Sequence, residues 1–240
     1  MNLNPRPGLA YVQSRITSPA LTPETYRKWY EEVHIPDVLR ACAPHITSAH
    51  RFLSPSPEKT TYPYLTLYPI RDTAWLRTAD CSLFRVPLHH DLLPSADRFI
   101  FDVAAFDFRF YERIAGVGGG SNLKNKGVTR FVVVAQLDDM NAAGAEDGFE
   151  GRILEQSRAS MLEGPGAATP FRSTLYKLDF VPPRPVKEGE EEAVVDTVPA
   201  PARYLVIHEF EEVSKEGVVR EDALALEFSL LGVFGDPSGE

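Results

Sequence analysis

The stretch GVGGGSNLKNKG, residues 116–127, divides the chain into two halves that begin in the same way. Its glycines and polar side chains are typical of a flexible connector. Each half opens with a short apolar run, at residues 8–16 and at residues 128–137, that predicts a strand. A polar turn and a helical pattern follow each of these runs. The two halves therefore resemble two copies of one structural unit.

The later elements also repeat between the halves. Each predicted helix is followed by two extended runs, which lie at residues 46–53, 62–68, 171–180 and 203–210. A short helix is predicted at residues 72–77. Alternating apolar and polar side chains at residues 104–111 predict the closing strand of the first half. The second half closes at residues 223–234, where the pattern does not settle between helix and strand.

This order of elements predicts an α+β fold built from two tandem ferredoxin-like (βαββαβ) units. Each unit leaves one face of its sheet without helices, and two units can bury these faces against each other. We therefore expect an intramolecular dimeric α/β-barrel. The predicted domains are residues 1–116 and 128–240, with residues 117–127 as the linker. Residues 181–201, rich in proline and glutamate, are expected to form a mobile, solvated loop.

Composition limits the range of partners. The 240 residues carry a formal net charge of −9, which argues against nucleic acid and against an acidic lipid surface. No run approaches the length of about 20 apolar residues that a membrane helix needs. The N-terminus has no apolar signal core, and Cys42 and Cys81 suit free thiols in a reducing compartment. We expect a cytoplasmic protein.

Motifs for several ligand classes are missing from the sequence. The glycines at residues 118–120 are not followed by the glycine and lysine of a phosphate-binding loop, and no Gly-x-Ser-x-Gly elbow exists. Residues 89–91, His-His-Asp, would place neighbouring side chains on different sides of a strand and lack further ligands, which disfavours a metal. No motif calls for haem. We expect neither a metal nor a cofactor.

The segment YRKWYEEVHIP, residues 26–36, combines an aromatic helix face with a histidine. At about 100° per residue, Trp29 and Tyr30 lie on one apolar stripe, and His34 lies at its edge. Pro36 disfavours helical geometry at Ile35 and so predicts the end of the helix there. The stripe could be ordinary core, with His34 capping the last carbonyls. It could also wall a pocket, where burial would lower the pKa of His34 and the helix C-terminus would raise it.

Other polar residues leave similar alternatives. His50 either faces the same side as His34 or is solvated. Tyr68 belongs to an alternating row of tyrosines, which either lines a pocket or packs across strands. Asp107 and Arg109 share a strand face and form either a surface ion pair or a site in which the arginine orients an anionic group.

Residues 29–36, WYEEVHIP, together with residues 106–111, FDFRFY, resemble the fungal branch of the EthD-type dimeric α/β-barrel family. The resemblance covers most of the first half. The second half matches in element order only, because its predicted helix at residues 147–162 has neither tryptophan nor the His-x-Pro pattern. The resemblance implies a cavity between helices and sheet, with His34 as the acid/base group. It also implies one working pocket, in the first half.

These observations predict a cofactor-independent enzyme that acts on a hydrophobic, oxygenated, polyketide-like small molecule. The reaction would be a proton transfer that leads to dehydration, decarboxylation, isomerisation or cyclisation. The alternatives are a cofactor-free oxygenase and a non-catalytic small-molecule binding or accessory protein. The sequence also permits a homodimer of the internal pseudo-dimer. The expected site consists of His34 as the catalytic group and Trp29, Tyr30, His50, Tyr68 and Arg109 as substrate-binding residues.

Overall fold

The computed structural model describes residues 5–118, 129–137, 149–160, 170–182, 201–211 and 225–235. Within these ranges the chain has eight strands and two long helical stretches. The strands are β1 (Gly8–Ile16), β2 (Ser48–Leu53), β3 (Tyr64–Ile70), β4 (Ala104–Gly118), β5 (Phe131–Leu137), β6 (Arg172–Phe180), β7 (Tyr204–Phe210) and β8 (Ala225–Gly235). The helical elements are α1 (Pro23–Lys28), a π-helical turn (Trp29–His34), α2 (Ile35–Cys42) and α3 (Phe149–Ser160).

The eight strands close into one antiparallel barrel, in the order β1-β3-β2-β8-β5-β7-β6-β4. The two halves have the same strand order, β4-β1-β3-β2 in the first and β8-β5-β7-β6 in the second. The two sheets are joined where β2 pairs with β8 and where β4 pairs with β6. The predicted fold, two tandem ferredoxin-like units that form an intramolecular α/β-barrel, is confirmed.

The predicted strands agree with the structure to within a few residues at their ends. The element at the close of the second half is a strand, β8. β4 is longer than predicted and continues to Gly118, where it still pairs with β6. Residues 119–128 and 183–200 lie outside the described residues. The predicted domain bounds, the linker and the mobile loop therefore stay predictions.

Strands of the first unit are buried on both faces. In β1, Leu9 and Tyr11 pack inside the barrel, whereas Ala10 and Val12 pack on the side covered by helices. We call these two regions the barrel interior and the first helix layer. A strand buried on both faces loses the simple alternation of polar and apolar residues that marks a half-exposed strand. Alternation along such a strand therefore does not tell which face a polar residue occupies.

The first helical stretch does not end at Pro36, so that prediction was wrong. A π-helical turn follows α1, and the N–H of Ile35 bonds to the carbonyl of Tyr30, five residues earlier. Pro36 then lies in the first turn of α2, and the helical backbone continues through it. His34 is consequently in the middle of a helical stretch that continues to Cys42, rather than at a C-terminus.

No second long helix lies between β3 and β4. Three short 3₁₀ turns take its place, at Thr73–Arg77, Leu83–Arg85 and Ile100–Asp102, and the first of them matches the short helix predicted at residues 72–77. Apolar side chains from this segment join the core of the first helix layer. These side chains are Trp75, Leu76, Cys81, Val86, Leu93 and Ile100. The segment thus covers the part of the sheet that the helical stretch leaves open.

Cys42 and Cys81 are both buried and both free thiols. In the part of the chain that the structure describes, no helix has the length and the apolar character needed to cross a membrane.

Candidate functional site

Among the buried side-chain atoms that have no hydrogen-bond partner in the described residues, those of four residues lie near Tyr30 in the first unit. These atoms are Nδ1 of His34, Nε and Nη2 of Arg51, Oγ1 of Thr66 and Oη of Tyr68. Leaving one such group unpaired in a protein interior costs about 1–3 kcal/mol. We call these four residues the polar cluster. Their unmet hydrogen-bonding capacity makes the cluster the first candidate for a ligand site.

Tyr30 links the members of the polar cluster. Its ring centroid lies 5.2 Å from that of His34 and 4.5 Å from the guanidinium carbon of Arg51. The hydroxyls of Thr66 and Tyr68 lie beside the Tyr30 side chain and influence its pKa, although neither contact has hydrogen-bond geometry. The helical stretch supplies His34, β2 supplies Arg51, and β3 supplies the two hydroxyls. The cluster therefore bridges the helix and the sheet of the first unit.

The π-helical turn positions His34 against Trp29. Residues five apart on an α-helix lie about 140° apart around its axis, since each residue turns about 100°. In the wider π turn the two rings instead stack, with centroids 4.9 Å apart and an interplanar angle of 17°. Trp29 and Tyr30 are both buried. The helical turn thus places the histidine against an aromatic wall, as the sequence predicts, but by a π-helical geometry that the sequence does not show.

Burial controls the protonation of His34. Its pKa falls to about 4, mainly because the interior disfavours the charged imidazolium, and the positive charge of Arg51 lowers it further. Asp37 acts in the opposite direction but is outweighed. At neutral pH the ring is therefore uncharged, and one of its nitrogens has a free lone pair. Such a group can accept a proton, but it has no proton to donate as an imidazolium.

Arg51 is a site residue that the sequence predictions missed. Its side chain is completely buried, and Nη1 donates to Oε1 of Glu31 at 2.7 Å. The guanidinium carbon also lies 5.4 Å from the ring centroids of both Tyr26 and Tyr64. Aromatic faces stabilise a desolvated cation, by about 2 kcal/mol in favourable cases. The surrounding tyrosines and Glu31 together keep a positive charge in the core of the first helix layer.

The tyrosines of this layer are hydrogen-bond donors at neutral pH. Burial raises the pKa of Tyr68, Tyr30 and Tyr26. Tyr26 uses its hydroxyl to bond Ser14 Oγ at 2.7 Å. Tyr68 has no such partner. Of Tyr26 and Tyr68, it is the Tyr68 hydroxyl that lacks a partner of regular hydrogen-bond geometry among the described residues.

His50 lies on the opposite face of the sheet from His34. It stands across from Leu67, a residue of the barrel interior. Burial lowers its pKa, and the charges that act on it are those of Glu209 and Arg172 in the second unit. The adjacent residue, Arg51, occupies the face where His50 was expected. His50 therefore does not line the first helix layer.

Arg109 also lies in the barrel interior. It pairs with Asp107 through two contacts, Nε to Oδ1 at 2.9 Å and Nη2 to Oδ2 at 2.6 Å. Its Nη1 donates to Oε1 of Gln136, at 3.3 Å, on β5 of the second unit. Both members of the pair are buried, so this is neither a surface ion pair nor a neighbour of His34. Of the predicted site residues, Trp29, Tyr30, His34 and Tyr68 come together, and His50 and Arg109 lie elsewhere.

The second unit also holds a buried histidine beneath its helix. His208 on β7 is bonded at both ring nitrogens, with Ser157 of α3 at 2.9 Å and with Ser173 of β6 at 2.8 Å. Its pKa falls to about 4 because of burial and the nearby Arg158. With both nitrogens occupied, His208 has no lone pair or N–H left for a ligand. The expectation of a single working pocket stays a prediction.

Comparison with known proteins gives similarity of fold alone. No family model matches the chain, and no curated protein matches it. A solved structure of a proposed monooxygenase from Fusobacterium nucleatum subsp. nucleatum matches with a TM-score of 0.48 and 6% identity, over 98% of this chain and 96% of the other. A proposed chlorite dismutase matches with a TM-score of 0.49 and 9% identity, over 95% of this chain and 96% of the other. A proposed monooxygenase from Lactobacillus acidophilus matches with a TM-score of 0.42 and 8% identity, over 96% of each chain.

Proposed function

We propose that the chain is a proton-transfer enzyme that uses His34 as its base on a hydrophobic, oxygenated small molecule. The observation that carries this proposal is the buried Nδ1 of His34, which has no partner and belongs to a ring that is neutral at neutral pH. Trp29 and Tyr30 give the surrounding wall an aromatic surface. Such a wall suits a flat, apolar substrate with a few oxygens.

The chemistry begins with a carbon-bound proton next to a carbonyl group. His34 takes this proton, and the electron pair of the broken C–H bond moves to the carbonyl oxygen, which becomes an enolate. Return of the proton to another carbon gives an isomer, loss of a β-hydroxyl as water gives a dehydrated product, and attack of the carbanion on a second carbonyl closes a ring. Polyketide-like compounds contain carbons of this kind. The resemblance of residues 29–36 to the fungal EthD-type branch supports the same class of substrate.

The low pKa of His34 limits how weakly acidic the substrate proton can be. General bases work best when their pKa lies near the working pH, and a base with a pKa of about 4 is weak. The substrate proton must therefore be an acidic one, as on a carbon activated by two neighbouring groups. No cofactor is needed for such a step, because imidazole and hydrogen-bond donors are sufficient.

Deuterium exchange tests the proposal directly. The protein is incubated with 2-tetralone and hydroxylated relatives in D₂O, and loss of the carbon-bound proton is followed by NMR. We expect exchange above the buffer rate, and a fall of about 10²-fold or more in His34→Ala and His34→Gln. His208→Gln is the matched control, because it removes a buried histidine from the other unit.

Near-wild-type exchange in both His34 variants would remove His34 from the mechanism. Two further measurements separate the alternatives. Oxygen uptake during turnover would indicate a cofactor-free oxygenase, since the proton-transfer reactions consume no oxygen. Stoichiometric binding followed by recovery of unchanged ligand would instead indicate a binding or accessory protein.

A further inference from the structure

Arg51 uses only part of its hydrogen-bonding capacity. Its side chain is completely buried, yet only Nη1 has an acceptor, the carboxylate of Glu31. Nε and Nη2 have none. These two nitrogens form one edge of the guanidinium, from which two N–H bonds point in parallel. A buried edge of this kind matches an acceptor that presents two oxygens in one plane.

Two other arginines of the same chain use this edge to bind a carboxylate. Arg109 uses Nε and Nη2 to hold both carboxylate oxygens of Asp107, at 2.9 Å and 2.6 Å. Arg172 uses the same two nitrogens to hold both oxygens of Glu209. Arg51 has the same edge and a lower exposure than Arg172, but no group of the described residues fills it. This edge of Arg51 is therefore a candidate to bind a ligand.

Two hydroxyls extend this edge into a larger donor set. Thr66 stands directly across from Arg51 in the register of β2 and β3. Tyr68 lies two residues further along β3, on the same face, and is influenced by the Arg51 charge. Both hydroxyls lie beside Tyr30, but neither has a partner of regular hydrogen-bond geometry among the described residues. These donors and His34 therefore all belong to the first helix layer, on either side of Tyr30.

The net charge of the first helix layer favours an uncharged acceptor over a carboxylate. Glu31 already neutralises Arg51, so a carboxylate ligand would add an uncompensated negative charge to a buried region. A β-dicarbonyl group enters uncharged. When its central proton moves to His34, the enolate and the imidazolium balance each other, and the net charge of the layer stays unchanged. The enolate then spreads its charge over two oxygens in one plane.

We propose that the Nε and Nη2 edge of Arg51, with the Thr66 and Tyr68 hydroxyls, binds the two oxygens of a β-dicarbonyl group in the substrate. The inference rests on the proposed function in that His34 is the base for the proton between the two carbonyls. It assigns to Arg51 a binding role in the ground state and a charge-stabilising role once the enolate forms.

Three aromatic probes of similar size test the proposal by calorimetric titration of the wild-type protein at neutral pH. They are 1-phenylbutane-1,3-dione with two carbonyls, 4-phenylbutan-2-one with one, and 3-phenylpropanoate with a carboxylate. We expect the dione to bind about tenfold or more tightly than the monoketone, since a hydrogen bond to a charged donor is worth at least that ratio. We expect the carboxylate to bind more weakly than the dione. Equal affinities for dione and monoketone, or tightest binding of the carboxylate, would overturn the proposal.

Variants then identify the edge itself. Arg51→Lys keeps the charge but lacks the paired N–H groups, so it should lose most of the preference for the dione. Glu31→Gln keeps the edge and removes the neutralising charge, so it should retain the preference and raise the affinity for 3-phenylpropanoate. Preference retained in a folded Arg51→Lys protein would contradict the assignment. Where Arg51→Lys does not fold, the wild-type ranking of the three probes decides.

The same probes separate this inference from the proposed function. His34→Gln leaves the Arg51 edge intact and should keep the preference for the dione while proton exchange is lost. Full exchange in His34→Gln together with the expected ranking would reject His34 as the base and leave the Arg51 site standing. Loss of exchange in His34→Gln, together with equal affinities of the wild-type protein for the dione and the monoketone, would reject the Arg51 site alone.

Discussion

His34 and His208 are both buried beneath a helix, but only His208 has partners at both ring nitrogens. The two serines that hold His208 fix its ring in place. His34 is instead held by ring contacts with Trp29 and Tyr30. In the described residues, Nδ1 of His34 therefore has no hydrogen-bond partner. This difference in bonding, rather than a difference in pKa, distinguishes the candidate base from the structural histidine.

Both histidines make the fold sensitive to acid. Burial lowers the pKa of each from the ordinary 6.5 to about 4. Between pH 6.5 and 4 the unfolded chain therefore binds more protons than the native chain. The contribution of these histidines to the unfolding free energy is fully present above pH 6.5 and is lost as the pH falls towards 4. The surrounding charges are Asp37 and Arg51 for His34, and Arg158 for His208.

We therefore expect His34→Gln and His208→Gln each to flatten the decline of unfolding free energy between pH 6.5 and 4, and the double variant to flatten it further. Urea denaturation at a series of pH values measures this slope. A double variant with the slope of the wild type would show that neither histidine is desolvated as described.

At the scale of elements, close packing of β1 against its neighbours depends on a glycine. A Cβ at Gly8 would lie 2.4 Å from the carbonyl oxygen of Tyr111 and 2.2 Å from a methyl group of Thr73. The carbonyl belongs to the backbone of β4 and cannot turn aside. Gly151 on α3 is the opposite case, because a Cβ there meets nothing within 4 Å.

The same substitution should consequently have opposite effects at these two positions. Gly8→Ala should destabilise the fold by about 1–3 kcal/mol through overpacking. Gly151→Ala should stabilise it by about 0.5–1 kcal/mol, because alanine favours the helix. Urea denaturation of both variants tests the pair, and a Gly8→Ala protein as stable as the wild type would contradict the close approach of β1 and β4.

At the scale of the whole molecule, polar contacts of two kinds join the units in addition to strand pairing. Arg109 and Asp107 form a buried pair that reaches Gln136 on β5. Arg77 forms an exposed, two-point pair with Asp179 on β6, at 2.7 Å and 2.6 Å. The first lies inside the barrel, and the second lies on its surface.

Burial should decide how much each pair contributes. Arg109→Ala leaves the Asp107 carboxylate buried without its cation and should cost about 3–5 kcal/mol. Arg77→Ala removes a solvent-exposed pair and should cost about 0.2–1 kcal/mol. Denaturation of the two variants under the same conditions gives the comparison, and similar losses for both would place Arg109 in a more hydrated environment than the barrel interior.

The repeat of one unit, the order of the strands and the placing of Trp29, Tyr30 and His34 on one helical stretch were all predictable from the sequence. These features depend on hydrophobic periodicity and on short-range spacing, which are local properties of the chain. The resemblance to EthD-type proteins directed attention to His34, and the structure gives that residue a buried nitrogen without a partner.

Which polar residues lie near His34 depends instead on how the strands and the helix pack in the folded chain. His50 and Arg51 are neighbours on a strand buried on both faces, so no alternation of polarity reveals which of them faces the helix. The sequence pattern also predicted a helix end at Pro36, whereas the structure has a π-helical turn followed by a continuing helix. The sequence therefore predicted His34 as a candidate base, whereas only the fold places Arg51 near it.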